Sequence, residues 1–247
     1  MVEIIECVIG VNMKNLCLIT YSNSNMKDVW ESHFLRIRKH FKTDSKVYCI
    51  SDIEVDNVDK TFIYNNDEPY YKAWVDCLES IEEDYFIYLQ EDLILHKDVP
   101  IDIIKNYIEV MKEDGYVDFI RLIKSGKGFS EKQFSDGLYY VNRESYPQFS
   151  MQPTIWKKKR FIDLYKNVKA EKWFECQEYE DACVNLNING LYSYRGESSR
   201  GNHFDSSVYP YIATAIIKGK WNLSEYPEEL FELSTEYNIN INDRGVK

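Results

Sequence analysis

Hydrophobic and polar positions along the chain predict strands and helices in alternation. Leu16-Cys17-Leu18-Ile19-Thr20 is a short apolar run of the buried-strand type, followed by the polar turn Tyr21-Ser22-Asn23-Ser24-Asn25. Val29, Trp30, Phe34, Ile37 and Phe41 then recur at helical spacing over 27–41. Lys46 to Ser51 is a second strand closed by Asp52, and Thr61 to Tyr64 a short third. Tyr71, Trp74, Val75, Leu78 and Ile81 mark an amphipathic helix, and Tyr85-Phe86-Ile87-Tyr88-Leu89 is the most hydrophobic strand in the chain. A helix opening near Pro100 and a strand over Asp118 to Ile123 follow.

This β-α-β-β-α-β-α-β order predicts an α/β protein with a mostly parallel central sheet flanked by helices. The second half is less regular. Gly126 and Gly128 mark a loop, and Leu138 to Val141 and Phe149 to Trp156 read as strands. A basic helix start follows at Lys157-Lys158-Lys159-Arg160; Tyr179, Ala182, Cys183 and Leu186 line a further helix, ended by Asn189-Gly190. No repeat or Pro- or Ser-rich linker interrupts the pattern, so residues 14–247 are expected to form one domain. Residues 1–13 read as an extension or an added edge strand.

Composition narrows the function classes. Thirty Lys and Arg against 41 Asp and Glu leave a formal charge of -11, which argues against a nucleic-acid binder. No apolar run reaches the roughly 18 residues of a membrane span, and the N-terminus lacks a signal-peptide pattern, so a cytoplasmic protein is expected. Six scattered cysteines without a CxxC pair read as buried thiols. Aromatic residues reach 15%, with 20 Tyr, 12 Phe and 5 Trp, which suits stacking on planar or ring-shaped ligands as well as core packing.

The most informative local feature is Gln90-Glu91-Asp92, where two adjacent carboxylates interrupt an apolar run that resumes at Leu93-Ile94-Leu95. Carboxylates at such a place are costly unless paired, hydrogen-bonded or metal-bound. A hard divalent cation shared between them and substrate phosphate oxygens meets that need. The bland alternative, an N-cap, fits poorly because the helix signal begins later. Ligands of open α/β sheets bind beyond the carboxyl ends of the strands, where Thr20-Tyr21-Ser22, Asp52 and Gln90-Glu91-Asp92 stand.

At these residues the chain resembles glycosyltransferases of the GT-A fold, in which a strand ends in a short acidic motif, usually Asp-x-Asp, that holds Mn²⁺ or Mg²⁺ against a nucleotide-sugar diphosphate. Ile19-Thr20-Tyr21-Ser22 through Asp28-Val29-Trp30-Glu31 is similar to the opening of surface-glycan transferases, and Val47 to Asp52 to their second strand. Gly219-Lys220-Trp221 and Arg244-Gly245 resemble segments that close such domains.

The resemblance implies an inverting glycosyltransferase, moving a hexosyl or pentosyl group from a nucleotide-sugar donor to a glycan or glycoconjugate acceptor. It implies Asp92 and His203 as metal ligands, with Glu91 beside them. Thr20, Tyr21, Ser22 and Asp52 match base and ribose contacts, and Lys72 and Trp74 a donor-pocket helix. Arg195 or Arg200, in a polar segment read as a lid, and Lys218 and Lys220 are candidates for the diphosphate. The base that deprotonates the acceptor is Asp181 or Glu175, a choice the residues leave open, and partial burial would tune either carboxylate toward working pH. Rival readings are a nucleotidyltransferase-like enzyme, which would want a glycine-rich basic loop after the first strand, and a non-catalytic carbohydrate-binding protein.

Overall fold

The computed structural model describes residues 13–124, 132–141, 149–172, 176–201 and 203–247, with the backbone alone at 176 and 177. The first half runs β1 (Leu16–Tyr21), α1 (Lys27–His40), β2 (Lys46–Ser51), β3 (Lys60–Ile63), α2 (Tyr70–Glu79), β4 (Tyr85–Gln90), β5 (Ile94–Leu95), α3 (Ile101–Glu113) and β6 (Phe119–Arg121). The second continues through β7 (Gln133–Ser135), β8 (Leu138–Tyr140), β9 (Thr154–Lys157), α4 (Lys158–Val168), α5 (Cys176–Asn185) and β10 (Gly190–Ser193). Small hairpins and helices complete it: β11 (Ser199–Arg200), β12 (His203–Phe204), β13 (Tyr211–Ile212), β14 (Ile216–Ile217), β15 (Lys220–Trp221), α6 (Pro227–Glu236) and α7 (Ile241–Arg244).

Nine strands form one sheet in the order β3-β2-β1-β4-β9-β6-β10-β8-β7. The four strands β3, β2, β1 and β4 are parallel, β9 and β8 oppose the rest, and β6 and β10 are parallel to each other. The expected α/β class with a mostly parallel sheet is therefore what the chain adopts. From β1 the chain moves outward to β2 and β3, then returns to place β4 on the other side of β1, so a switch point opens between β1 and β4.

Strand alternation divides the core into two layers. Leu16, Leu18, Ile87 and Leu89 point to the face covered by α1, α3 and α6, whose buried residues include Val29, Phe34, Ile104 and Leu230. Cys17, Ile19, Phe86 and Tyr88 point to the opposite face, covered by α2, α4 and α5. That second layer is aromatic: Trp74 stacks on Tyr88 at 4.9 Å, Phe161 on Tyr165 at 4.1 Å, and Phe149 on Tyr179 at 4.6 Å.

Local chemistry sets the ends of the elements. α1 carries Asp28 in its first turn and Arg38, Lys39 and His40 in its last, complementing the helix dipole. α6 opens with Pro227, Glu228 and Glu229. The strand expected over Phe149 to Trp156 is confined to β9, which enters antiparallel between β4 and β6. The expected helix end at Asn189-Gly190 is also corrected. Asn187 takes the left-handed turn, at φ 55°, and Ile188 N–H reaches back to the Cys183 carbonyl at 2.9 Å. Gly190 instead begins β10, where a Cβ would lie 2.0 Å from the Phe119 ring. Cys17, Cys49, Cys77 and Cys183 are buried free thiols, as expected. Among the described residues no helix is long and apolar enough to cross a membrane.

Candidate functional site

The apolar run through β4 stops because the chain turns. Leu93 N–H closes on the Gln90 carbonyl at 3.1 Å, so Glu91 and Asp92 are the central pair of a tight turn, and the run resumes as β5. Register places Tyr21 beside Gln90, which brings the β1 turn alongside the acids. The cavity there is about 340 Å³ and is lined by Tyr21, Ser22, Asn23 and Met26 after β1, Gln90, Glu91 and Asp92 after β4, and Ile216, Lys218 and Gly219.

The two carboxyls keep some solvent exposure toward this cavity, but protein surrounds them on most sides. Burial raises both pKa values, and Asp92 pushes Glu91 further up; a hydrogen bond from Ser22 and the charge of Arg244 work against the rise at Glu91. Arg244 counters only in part, because its guanidinium is forked on Asp28, with Nε at 2.9 Å from Oδ2 and Nη2 on Oδ1. Two hard oxygen donors in one turn, short of counter-charge, are a donor set that fits a divalent cation. No group of three or more His, Cys, Asp or Glu side chains capable of holding a metal occurs among the described residues.

A second cavity of about 200 Å³ shares Tyr21 as its wall and adds Tyr64, Asn65, Asn66, Tyr70 and Glu171. Tyr21 lies flat against Tyr64, with centroids 5.4 Å apart and planes at 10°, and meets the edge of Tyr70 at 4.8 Å. A half-buried flat aromatic surface thus joins the acid-lined cavity to an amide-lined one.

The structure sorts the sequence-derived site residues. Tyr21, Ser22, Glu91 and Asp92 meet at the first cavity. Asp52 stands at the next strand end, where its carboxylate accepts from Ser24 N–H at 2.7 Å and Ser24 Oγ at 2.6 Å, tying the β1 turn to β2. Thr20 faces the other way, fully buried, with Oγ1 2.9 Å from His33 Nε2. Trp74 is fully buried, donates Nε1–H to Tyr70 at 2.9 Å, and lies behind Tyr21 as a core ring. Lys72 is on the helix surface, bridging Glu68 at 3.2 Å and Asp76 at 2.6 Å.

Arg200 is committed elsewhere. It binds both oxygens of Glu229, at 2.7 and 2.8 Å, and stacks 3.9 Å above Tyr226, so the 195–205 segment is a pinned hairpin at that point. His203 sits half-buried with Glu225 as its charged neighbour; burial lowers its pKa, and it does not join the acid pair. Lys220 is exposed on β15, whereas Lys218, two residues earlier, lines the cavity. Asp181 is exposed on α5, while its neighbour Glu180 is buried and accepts Phe149 N–H at 2.8 Å. Glu175, together with Trp173 and Phe174, residues 1–12 and Gly126 and Gly128, lies outside the described residues.

Three residues went unread in the sequence. Met26 and Asn23 line the cavity because the 24–26 segment forms a 3-10 turn capped by Asn23, whose side chain accepts from Asn25 N–H. Arg121 ends β6 fully buried, its pKa pushed down to about 10 by burial and held up by Glu180. Its signal was available: a lone cation within Phe119-Ile120-Arg121-Leu122-Ile123 carries the same cost as the acids after β4.

No family model matches the chain, and no curated protein does. Among solved structures, CMP:2-keto-3-deoxy-manno-octonic acid synthetase complexed with CTP is 13% identical over 72% of this chain and 89% of that one, with a TM-score of 0.45. A cytidylyltransferase from Leptospira borgpetersenii is 11% identical over 93% of this chain and 98% of that one, at 0.48. TarS of S. aureus is 16% identical over 91% of this chain and 39% of its own length, at 0.46. At these values the likeness assigns no residue and no activity.

Proposed function

We propose that the protein is a glycosyltransferase of the GT-A type that moves a sugar from a nucleoside-diphosphate donor to a hydroxyl of a glycan or glycoconjugate, with inversion. The observation that carries this reading is the acid pair Glu91-Asp92 in a tight turn at the switch point, lining the same cavity of about 340 Å³ as Lys218. In this reading Asp92 and Glu91 hold Mn²⁺ or Mg²⁺, which supplies counter-charge to the departing diphosphate. Lys218 offers a further positive charge to the same cavity. Tyr21 and Tyr64 present a flat surface to the nucleoside ring, with the Asn65 and Asn66 amides at its edge. Asp181 or Glu175 takes the acceptor proton.

A nucleotidyltransferase would need a glycine-rich basic loop after β1. The segment there is Tyr21-Ser22-Asn23-Ser24-Asn25-Met26, folded into a 3-10 turn with neither Gly nor Lys. The test is a screen of nucleotide sugars with Mn²⁺ or Mg²⁺ for release of the nucleoside diphosphate. Release from at least one donor, lost in Asp92→Ala, is expected. Pyrophosphate release from a nucleoside triphosphate would instead make the protein a nucleotidyltransferase. Glycan binding with no turnover of any nucleotide would make it a binding protein.

A further inference from the structure

The cavity lining contributed by Lys218 and Gly219 is a two-residue hairpin turn. Ile217 pairs with Lys220 across β14 and β15, and the loop residues Lys218 and Gly219 both adopt left-handed backbone, at φ 52° and 76°. Lys218 pays a steric penalty for that conformation that Gly219 does not. A Cβ built on Gly219 would meet no other atom within 4 Å, so nothing packs against that side of the loop tip.

What reaches the turn from outside is Arg244. Its side chain is 12% exposed and its fork is fixed on Asp28, in the first turn of α1. The remaining donors go to carbonyls: Nη1 to Gly219 at 3.5 Å and Nη2 to Asn25 at 3.3 Å. One guanidinium therefore ties together three segments that border the cavity. The backbone behind it is anchored too. Gly245 accepts Trp221 N–H at 3.0 Å, and Lys247 N–H returns to the Trp221 carbonyl at 2.9 Å.

We propose that Arg244 is a positioning residue: it seats the Lys218-Gly219 turn against α1 so that Lys218 is presented to an anionic phosphate group in the cavity. The idea rests on the donor-binding reading above for its ligand, but the seating of the turn stands on its own. A planar five-donor fork suits this task, since it can hold both oxygens of a carboxylate and two carbonyls at once, four bonds where an ammonium has three donors.

The test uses the full chain and two readouts. The first is amide hydrogen exchange over Ile217 to Lys220 without ligand. Arg244→Gln is expected to speed exchange there at least about tenfold, with the thermal midpoint of the rest of the protein retained. Unchanged exchange overturns the proposal, whatever the protein binds. The second is calorimetric affinity for inorganic pyrophosphate with Mg²⁺. Arg244→Gln and Lys218→Gln are each expected to weaken binding about tenfold, the loss of one charge-assisted contact, and the double variant no further. Multiplying effects, or full rescue by Arg244→Lys, would show that Arg244 acts as a bare charge and overturn the positioning role. Faster exchange in Arg244→Gln, combined with no pyrophosphate binding by the unaltered chain, would sink the donor-binding reading and leave the seating of the turn intact.

Discussion

The two faces of the central sheet are buried to the same degree by different chemistry. The face under α1, α3 and α6 is mainly aliphatic, built on Leu18, Ile87, Leu89, Ile104 and Leu230. The face under α2, α4 and α5 is a continuous set of rings running from Trp156 and Phe161 through Trp74 to Tyr21. The difference accounts for most of the aromatic excess in the composition. Rings that stack well also bring hydroxyls and ring N–H groups into the core, and Tyr88 and Trp156 bury a polar atom with no hydrogen-bond partner by direct geometry. The aliphatic face has fewer rings but carries a similar load: Thr20 Oγ1 lies 2.9 Å from His33 Nε2, while His33 Nδ1, the Tyr209 hydroxyl and Trp221 Nε1 are buried without a direct partner. The aromatic layer runs out at the carboxyl end of β1, where Tyr21 borders both cavities.

That contrast can be broken by experiment. The largest effect is expected on the aromatic side. Trp74→Ala should lower stability by about 3–5 kcal/mol in urea unfolding, because the ring is fully buried among Tyr21, Tyr88 and Phe161. A loss below about 1 kcal/mol would show that the rings do not hold that face. Asp92→Asn separates function from packing. Turnover with the identified donor should fall about 10²–10³-fold, a loss of the size seen when one charge-stabilising group is removed, while the folding midpoint holds or rises. The rise is expected because burial is what raises both pKa values: an uncharged amide costs less to bury than the Asp92 carboxylate, and it also removes the charge that pushes Glu91 further up.

On the aliphatic side, burial pushes the His33 imidazole down from its usual 6.5 to about 3. The unfolded chain takes up that proton near pH 6.5 and the native state only near 3. His33 therefore costs nothing above pH 6.5, and stability falls by up to about 1.4 kcal/mol per unit as pH drops through the window. His33→Gln should flatten the stability profile between pH 6 and 4; an unaltered slope would mean the imidazole is not buried as a neutral group. The smallest effect sharpens the contrast most. Tyr21→Leu should cost at most about 1.5 kcal/mol of stability, the value of one aromatic contact beyond its area, yet weaken donor binding several-fold. Equal donor affinity in that variant would confine the aromatic layer to packing.

Strand alternation and helical spacing are enough to read the first half of the fold, because β1, β2 and β4 bury both faces and each helix presents one stripe. The acid pair was legible for the complementary reason: two charges in an apolar run must be explained by something outside local structure. The later parts were not legible in the same way. Lys218 and Lys220 look alike in sequence, and only the left-handed turn between them puts one on the cavity and the other on the surface. Glu180 and Asp181 differ by one helical step, which buries the first and exposes the second. Arg200 and His203 were attractive as lid residues, yet Glu229 and Glu225 had equal claim on them, and pairing across 20 or more positions has no periodic signature. β10 escaped notice because its glycine resembled a helix stop, whereas its function is to admit the Phe119 ring.

Asp28 meets its partner 216 residues later, and Arg36 meets Glu236 200 residues later. An early helix, α1, is therefore completed by contacts from α6 and α7, which are made about 200 residues later. Until then α1 carries Asp28, Arg36 and Lys39 without these partners. Closing so long a loop is slow, since its entropy is lost before the contacts repay it. The cavity is thus completed only once residues 216–219 are in place, and a form that stops before them lacks the part of its lining made by Ile216, Lys218 and Gly219.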